Sequence, residues 1–337
     1  MTKVFERTFN SGEHILLDTR KKEYTQHTFL PKNFEQYIGQ ERLKKRIEIY
    51  IESAIKRGVS LDHILLFGSP GLGKTTLAEI IAYHMQKKIK TTSGPILQKT
   101  ADLLAILTSL KEGEIFFIDE IHRLPISVEE SLYSAMEQYK IEIIIGAAQA
   151  AKTVSMPLPP FTLIGATTKL GLLSAPFRSR FGITEKFDWY TLDELSAIIR
   201  QTALFFNIEI DTASIQKIAS ASRGTPRIAK KIMHKIRDYA VVKTNRFVDQ
   251  FVIKEVFDFF QIFENGLTST DIEILSILAK RQTPLGIESL ARLINEEVET
   301  IEAVYEPFLL QLGYIERTPR GRIFNKEKKD EIEVLLK

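Results

Sequence analysis

The sequence contains no cysteine, a single tryptophan and no long hydrophobic run. Without cysteine, disulfides, thiolate zinc sites and cysteine nucleophiles are excluded. No stretch approaches the roughly 18 to 20 apolar residues that a membrane span needs, and the polar N-terminus has no signal-peptide core. These absences predict a soluble, cytoplasmic protein without membrane contact.

The composition is otherwise that of a folded globular protein. Of 337 residues, 44% are hydrophobic and 26% are charged, which suits two or three domains with sizeable cores. The net charge of +3 is too small to indicate a nucleic-acid partner by itself. Any DNA-binding surface must therefore be local.

The first half of the chain predicts an α/β domain over residues 29–190, preceded by a flexible arm over residues 1–28. Apolar residues at helical spacing predict an amphipathic helix over 40–57. Short apolar runs predict buried strands, and a further helix is expected after the first of them. The strands are placed at 64–67, 114–118 and 161–166, and the helix at 75–85. This alternation indicates a parallel sheet with helices on both faces.

Two smaller domains follow. Residues 191–262 carry four helical patterns, with Thr225-Pro226 as an N-cap and first helical proline. Residues 263–337 carry three helical segments, the last over 298–312, and then two short strands around Thr318–Gly321. We predict a helical lid and a winged-helix domain.

A phosphate-binding loop lies between the first strand and its helix. Gly68–Thr75 matches the pattern G-x-x-x-x-G-K-[ST]. Glycines such as Gly71 and Gly73 let backbone N–H groups surround phosphates, Lys74 reaches the terminal phosphates and the Thr75 hydroxyl binds Mg²⁺. ATP and Mg²⁺ are therefore the expected cofactors.

Acidic and hydroxyl side chains end two further strands. The second strand ends in Asp119-Glu120, which predicts one acid for the metal and one that polarises the attacking water. Thr168 follows the third strand as a γ-phosphate sensor or as a structural threonine. By itself, Arg180 is equally compatible with a surface ion pair and with a residue that reaches a neighbouring subunit's phosphate.

Taken together, these motifs resemble the AAA+ superfamily and, more narrowly, the RuvB family of bacterial Holliday-junction branch-migration ATPases. The resemblance spans about residues 29 to 324. It is carried by the phosphate loop, by the two arginines Arg178 and Arg180, and by the following segments: Tyr37-Ile-Gly-Gln40, Leu61-Asp-His63, Thr91-Thr-Ser-Gly-Pro95, Phe117-Ile-Asp-Glu-Ile-His-Arg123, Leu158-Pro-Pro-Phe-Thr-Leu-Ile-Gly-Ala-Thr-Thr168, Arg223-Gly-Thr-Pro-Arg227 and Gln311-Leu-Gly-Tyr-Ile-Glu-Arg-Thr-Pro-Arg-Gly-Arg322.

The resemblance implies a role for each matching residue. Arg180 becomes the finger that acts on a neighbour's nucleotide, Thr168 the first sensor and Arg227 the second. Nucleotide contacts are implied for the residues of the loop, the hinge and the subunit interface: Gly71, Gly73, Lys74, Thr75, Thr76, Tyr190, Glu137, Gln138 and Tyr139. Phe29 and Leu30 stand where the family has an arginine near the base. Thr75 and Asp119 are the implied metal ligands.

The resemblance also implies partners. The family forms a homohexameric ring on duplex DNA at Holliday junctions and binds RuvA through a hairpin, here near 140–156, whose apolar residues alternatively belong to the core. The tip, Gly146–Gln149, departs from the family's Gly-Pro turn. The resolvase RuvC is a further candidate partner.

The wing carries a concentration of positive charge. Residues 317–329 hold six basic side chains and one acid, and the resemblance implies DNA contacts for Arg317 and Arg322, with Arg320 between them. A solvated charge run is the alternative for this segment. A nucleotide-gated DNA-binding switch of the origin-recognition type is the alternative function. Such a switch hydrolyses slowly and prefers certain DNA sequences, whereas a motor hydrolyses ATP faster on any DNA.

Overall fold

A computed structural model describes residues 29–328 except 146–151, 245, 264–265 and 282. The predicted arm, the hairpin tip and the chain beyond residue 328 lie outside these residues. Residues from Pro31 onward belong to one unit of the fold. Phe29 and Leu30 belong to a separate unit, in which Leu30 is exposed. No helix in the described part of the chain is long and apolar enough to cross a membrane.

The centre of the first domain is a five-stranded parallel sheet in the order β2-β3-β6-β1-β7. Its strands are β1 (Ile64–Phe67), β2 (Ile89–Ser93), β3 (Ile115–Asp119), β6 (Thr162–Thr167) and β7 (Ile183–Lys186). The three inner strands were predicted to within one residue. The edge strands β2 and β7 were not, because they are only partly buried and lack the continuous apolar run of an inner strand.

Helices cover both faces of this sheet. They are α1 (Glu41–Arg57), α2 (Lys74–His84), α3 (Thr100–Leu107), α4 (Ile126–Gln138) and the single turn α5 (Ala175–Ser179). One hydrophobic core joins α1 and α2 to the sheet and continues into the lid, and a second core lies under α3 and α4. The sheet with helices on both faces confirms the predicted fold class of this domain.

A β-hairpin leaves the domain after α4. Strands β4 (Lys140–Ile145) and β5 (Lys152–Pro157) pair antiparallel from Lys140↔Pro157 to Ile145↔Lys152. Ile141 is buried at its base, whereas Val154 is 45% exposed. The predicted hairpin therefore exists, and its base belongs to the core.

The lid contains four helices, as predicted: α6 (Leu192–Phe206), α7 (Thr212–Ala221), α8 (Pro226–Lys243) and α9 (Gln250–Phe260). Each begins after a side chain that accepts a backbone N–H of the first turn, and these N-caps are Thr191, Asp211, Thr225 and Asp249. Two residues of β8 (Glu209–Ile210) pair with two of β9 (Phe247–Val248).

The third domain is a winged helix, with α10 (Ser269–Ala279), α11 (Ile287–Ile294), and a wing made of β10 (Ile315–Thr318) and β11 (Gly321–Phe324). The predicted continuous helix over 298–312 is wrong in detail. It consists of α12 (Val298–Thr300), a π-helical turn (Ile301–Tyr305) and α13 (Glu306–Gln311), together called the bulged helix here. Pro307 has no N–H to donate, which explains why regular α-helical bonding is interrupted before it.

Candidate functional site

The phosphate loop occupies the predicted place between β1 and α2. Gly71 has a φ of +81° and Gly73 a φ of +100°. A residue with a side chain would be strained at such angles. A Cβ atom on Gly71 would lie 2.9 Å from the Arg227 Cβ, and one on Gly73 would lie 2.6 Å from the Tyr37 hydroxyl. The loop therefore depends on glycine both for its conformation and for close approach of the lid.

Lys74 is buried at the first position of α2. Its ammonium donates to the carbonyl oxygens of Gly68 at 2.8 Å and Ser69 at 2.9 Å. Burial lowers its pKa to about 8, against the opposing influence of the Asp119 carboxylate, while Arg227 lowers it further. A desolvated cation whose partners are neutral carbonyls is suited to receive a phosphate anion.

The two predicted acids lie at the carboxyl end of β3. The Asp119 carboxylate accepts the backbone N–H of Glu120 at 2.9 Å. Glu120 has φ 48°, a left-handed conformation that turns the chain into a short 3₁₀ turn, and its carboxylate lies 3.2 Å from Arg123. Against the larger lowering by burial, the charges of both acids raise the pKa of Lys74.

Two neighbouring threonines stand at the end of β6, and the sensor role was predicted for the second, Thr168. Thr167 is buried, and its hydroxyl lies 3.0 Å from His122 Nδ1 and accepts the N–H of Lys169 at 3.0 Å. The predicted sensor, Thr168, is exposed immediately after the strand. Its role stays a prediction, and Thr167 is the residue that ties this strand end to the Asp119-Glu120 segment through His122.

The lid approaches the loop through two predicted residues. The Arg227 N–H donates to the carbonyl oxygen of Gly71 at 3.3 Å. The Tyr190 hydroxyl lies 3.2 Å from the Leu72 carbonyl oxygen and 3.3 Å from the Tyr37 hydroxyl, and burial raises the Tyr190 pKa to about 12. Tyr190 therefore remains a neutral hydrogen-bonding group that contacts the loop from the hinge.

A small cleft lies beside this hinge. Its mostly apolar wall includes Pro31, Tyr37, Ile38, Gly73, Thr76, Tyr190, Ile198 and Pro226. Apolar side chains of this kind suit contact with the flat face of a nucleobase. Tyr37 and Ile38 were identified only as part of a family segment, and Ile198 was missed because an apolar residue of an amphipathic helix gives no separate signal. The predicted base contacts of Phe29 and Leu30 stay predictions.

A second group of predicted residues lies apart from this site. Arg180 Nε is 3.1 Å from Glu137 Oε1, and its guanidinium lies 4.2 Å from the centre of the Tyr133 ring. Neither Arg180 nor Glu137 has a hydrogen bond or ion pair with Lys74, Asp119 or Glu120 among the described residues. Tyr139 packs its ring against Phe161 of the core, 5.9 Å between centroids. The nucleotide contacts of Glu137, Gln138 and Tyr139 stay predictions.

In the wing, the predicted DNA-binding arginines share one buried acid. Glu306 is 1% exposed and accepts Nε and Nη2 of both Arg317 and Arg322, at 2.7 to 3.0 Å. Burial raises the pKa of Glu306, but the two arginines outweigh it and the pKa is lowered. Arg320 is exposed at the turn. Sequence reasoning missed Glu306, although its three-four spacing with Glu299 and Glu302 indicates a shared helix face.

The phosphate loop, the acids at a neighbouring strand end and the lid arginine against the loop define a P-loop ATPase of the AAA+ class. Family models agree along the chain: the Holliday junction DNA helicase RuvB P-loop domain matches residues 29–187, the RuvB AAA lid domain 190–263 and the RuvB C-terminal winged-helix domain 264–330. The chain belongs to the RuvB family.

Individual relatives support this assignment. The chain is 48% identical over 298 residues to the Holliday junction branch migration complex subunit RuvB of Limosilactobacillus reuteri, covering 88% of both chains. It superposes with a TM-score of 0.82 on the Thermotoga maritima RuvB Holliday junction branch migration motor, at 44% identity over 90% of this chain and 97% of that one. A single-substitution mutant of the same Thermotoga maritima protein superposes with a TM-score of 0.83, over 90% of this chain and 99% of the mutant chain.

Family membership confirms the predicted fold class, the predicted resemblance and the predicted activity of an ATP-driven, helicase-like enzyme. It does not favour the alternative of an origin-recognition switch. The chain is a nucleotide-binding protein with a winged-helix DNA-binding domain.

Proposed function

We propose that this protein is an ATP-driven motor that moves the branch point of Holliday junctions along duplex DNA, as a homohexamer that works with RuvA. One observation carries the proposal: a phosphate loop followed by Lys74 and a wing with three arginines, Arg317, Arg320 and Arg322, occur in one unit of the fold. Phosphate contacts from such a wing attract any DNA sequence, as a translocating motor requires.

The residues of the site divide the chemistry of hydrolysis. Lys74 exchanges its two loop carbonyls for the terminal phosphates of ATP, and the backbone N–H groups at the start of α2 bind the remaining phosphate oxygens. Glu120 orients and polarises the attacking water, because its carboxylate is at the strand end beside Asp119. Arg227, on the lid, acts as the second sensor of the bound nucleotide.

The donor set fits Mg²⁺. The Thr75 hydroxyl and the Asp119 carboxylate are oxygen ligands, and Mg²⁺ in nucleotide sites takes only one or two protein groups beside phosphates and water. The described residues contain no group of three or more His, Asp or Glu side chains that could hold a metal ion. When bound by Thr75 and Asp119, Mg²⁺ would neutralise charge on the phosphates.

The pairing of Arg180 with Glu137 supports the homohexamer. The two side chains pair with each other, and within the described residues neither forms a hydrogen bond or ion pair with the phosphate loop of its own chain. Arg180 therefore suits a nucleotide held by the adjacent subunit, where it would stabilise the charge of the transferring phosphate.

The hairpin β4–β5 is the proposed RuvA contact. Its base is anchored by Ile141, while Val154 of the second strand is exposed. The change Val154→Glu should abolish RuvA-dependent branch migration and leave the DNA-stimulated ATPase intact.

RuvC is a further candidate partner, for the resolution of the junction that the motor moves.

The proposal is tested by ATPase rates on linear duplexes of unrelated sequence and on a four-way junction, with and without RuvA, together with a gel that measures junction dissociation. We expect DNA of any sequence to stimulate turnover and the junction to separate only with hydrolysable ATP. A non-hydrolysable analogue is the control. Slow turnover that depends on DNA sequence, with the junction intact, would instead indicate a nucleotide-gated switch.

A further inference from the structure

The bulged helix (298–311) lies between the ATPase part of the molecule and the wing, and it is contacted from both sides. From the ATPase side, Arg223 and Lys169 bind it. On the wing side, its Glu302 and Glu306 hold the wing arginines. The contacts differ in strength, because those of Arg223 and Glu306 are buried and that of Lys169 is exposed.

Arg223 is inserted into the winged-helix domain from the lid. Its Nη1 donates to Asp271 Oδ2 at 3.0 Å and its Nη2 to Oδ1 at 3.3 Å and to the Val304 carbonyl oxygen at 3.3 Å. The guanidinium also stacks 4.3 Å from the centre of the Phe308 ring. Arg223 and Asp271 are both buried, and breaking a buried ion pair is far more costly than breaking a surface one.

The same short segment reaches the phosphate loop. Arg223 and Arg227 are four residues apart, and the Arg227 N–H donates to Gly71 of the loop at 3.3 Å. Between them, the Gly224 carbonyl accepts the N–H of the hinge residue Tyr190 at 3.1 Å. A movement of the lid relative to the phosphate loop therefore displaces Arg223, and with it the turn of the bulged helix that contains Val304.

A weaker connection runs from the end of β6. The Lys169 N–H donates to the buried Thr167 hydroxyl, and the Lys169 ammonium lies 3.4 Å from Glu299 in the first turn of the bulged helix. This pair is partly exposed, so it orients the helix more than it stabilises the molecule.

The π-helical turn Ile301–Tyr305 makes this helix adaptable. Such turns are rare and energetically marginal, and they occur disproportionately at functional sites. Val304, which accepts Arg223, is within this turn, and Glu306 begins the next one. A shift between π and α bonding here changes the position of Glu306 and of the two arginines bound to it.

We propose that the bulged helix transmits the state of the nucleotide site to the wing, with Arg223 as the positioning residue that moves it. The proposal rests on the function given above. It adds the physical route by which ATP binding and DNA binding affect one another.

Thermodynamic linkage provides the readout. If nucleotide and DNA are coupled, a non-hydrolysable ATP analogue changes the Kd for a short duplex by the same factor as the duplex changes the Kd for the analogue. For the unaltered protein we expect each ligand to change the Kd of the other by at least about fivefold. For Arg223→Lys we expect a change of less than about twofold. Lysine keeps the charge but loses the bidentate and stacked contacts.

A charge swap tests the route without disturbing a buried group. Glu299→Lys should reduce the linkage factor, and the double variant Lys169→Glu with Glu299→Lys should restore it. Glu297→Lys is the matched control, because Glu297 is exposed two residues earlier and forms no ion pair within the described ranges. For each variant, the Kd for the ATP analogue and the Kd for the duplex are measured separately, and a thermal melt is recorded.

The two proposals fail in different ways. If the unaltered protein shows linkage and both Arg223→Lys and Glu299→Lys keep the same linkage factor, the bulged helix is not the route and the proposal is overturned. A lower melting temperature with unchanged linkage assigns Arg223 a structural role alone, which also overturns it. Absence of linkage in the unaltered protein, with no DNA-stimulated turnover, overturns the proposed function itself.

Discussion

The nucleotide site and the wing both hold cations for phosphate groups, but they hold them differently. Lys74 is buried against neutral carbonyl oxygens, and burial lowers its pKa to about 8. Arg317 and Arg322 are bound to the buried carboxylate of Glu306, and this hydrogen bonding raises the pKa of Arg317.

The difference shows two uses of positive charge. A cation paired only with carbonyl dipoles is incompletely compensated, so it gains most when an anionic phosphate arrives. A cation paired with a carboxylate is fixed in direction and partly neutralised before DNA arrives. Changes at the nucleotide site should therefore act on ATP binding and turnover, and changes in the wing on stability and DNA affinity.

The largest effect is expected at Arg180. Arg180→Ala should reduce ATP turnover by about 10³ to 10⁵, as removal of an arginine finger does, while ATP binding persists. Mixing it with Glu120→Gln should restore some turnover, because one subunit supplies the arginine and its neighbour the acid. Arg178→Ala is the control. Absence of recovery at every mixing ratio would place the catalytic arginine within its own subunit.

Glu120→Gln alone should lower turnover by about 10² to 10⁴ with nearly unchanged ATP affinity, since the water loses its base while the phosphate contacts remain. Single-turnover hydrolysis and equilibrium ATP binding separate the two effects. Glu112→Gln, an exposed acid three residues before the same strand, serves as control. A large loss of affinity would show that Glu120 acts in binding.

In the wing, Glu306→Ala should destabilise the winged helix by about 1.5 to 3 kcal/mol, because two arginines lose a charged hydrogen-bond partner. Since the pKa of Glu306 is lowered on folding, its stabilising contribution is present above the unfolded pKa and is lost as pH falls through the lowered value. Urea melts at neutral and acidic pH measure both. Glu302→Gln, a half-exposed neighbour, should cost less.

The Lys74 pKa predicts a pH dependence. Below pH 8 the ammonium is charged and ready for ATP; above it, binding must take up a proton, so the Kd for ATP should rise about tenfold per pH unit. The free protein, in contrast, gains stability as pH rises from about 8 towards 10.5, because the folded state favours the neutral amine. Lys74→Arg, which stays charged, should give a flatter binding curve; equal slopes would refute the assignment.

The smallest effect is expected at Arg320. Arg320→Ala should reduce the slope of log affinity for DNA against log salt by about 0.9 per subunit if the side chain contacts one phosphate. The loss should be the same for every DNA sequence. Fluorescence anisotropy over a salt series measures the slope, and Lys326→Ala beyond the wing is a useful comparison. A sequence-dependent loss would indicate base contacts.

Much of the fold followed from local pattern. The inner strands β1, β3 and β6 are continuous apolar runs, and the lid helices have N-caps such as Thr225, so both were predictable. The edge strands β2 and β7 were not, because their half-exposed residues give no such run. The π-helical turn was missed as well, since its apolar periodicity resembles that of an ordinary helix.

The candidate site, like the fold, was only partly predictable from the sequence. The sequence alone determined the phosphate loop, the acids of β3 and the lid arginine, because glycine conformation and strand-end chemistry impose residue types at short spacing. Only the tertiary structure decided that Glu306 holds the wing arginines, that Tyr37 meets Tyr190 and that Arg223 is buried against Asp271. These contacts join residues distant along the chain, and packing between domains determines which charges become neighbours.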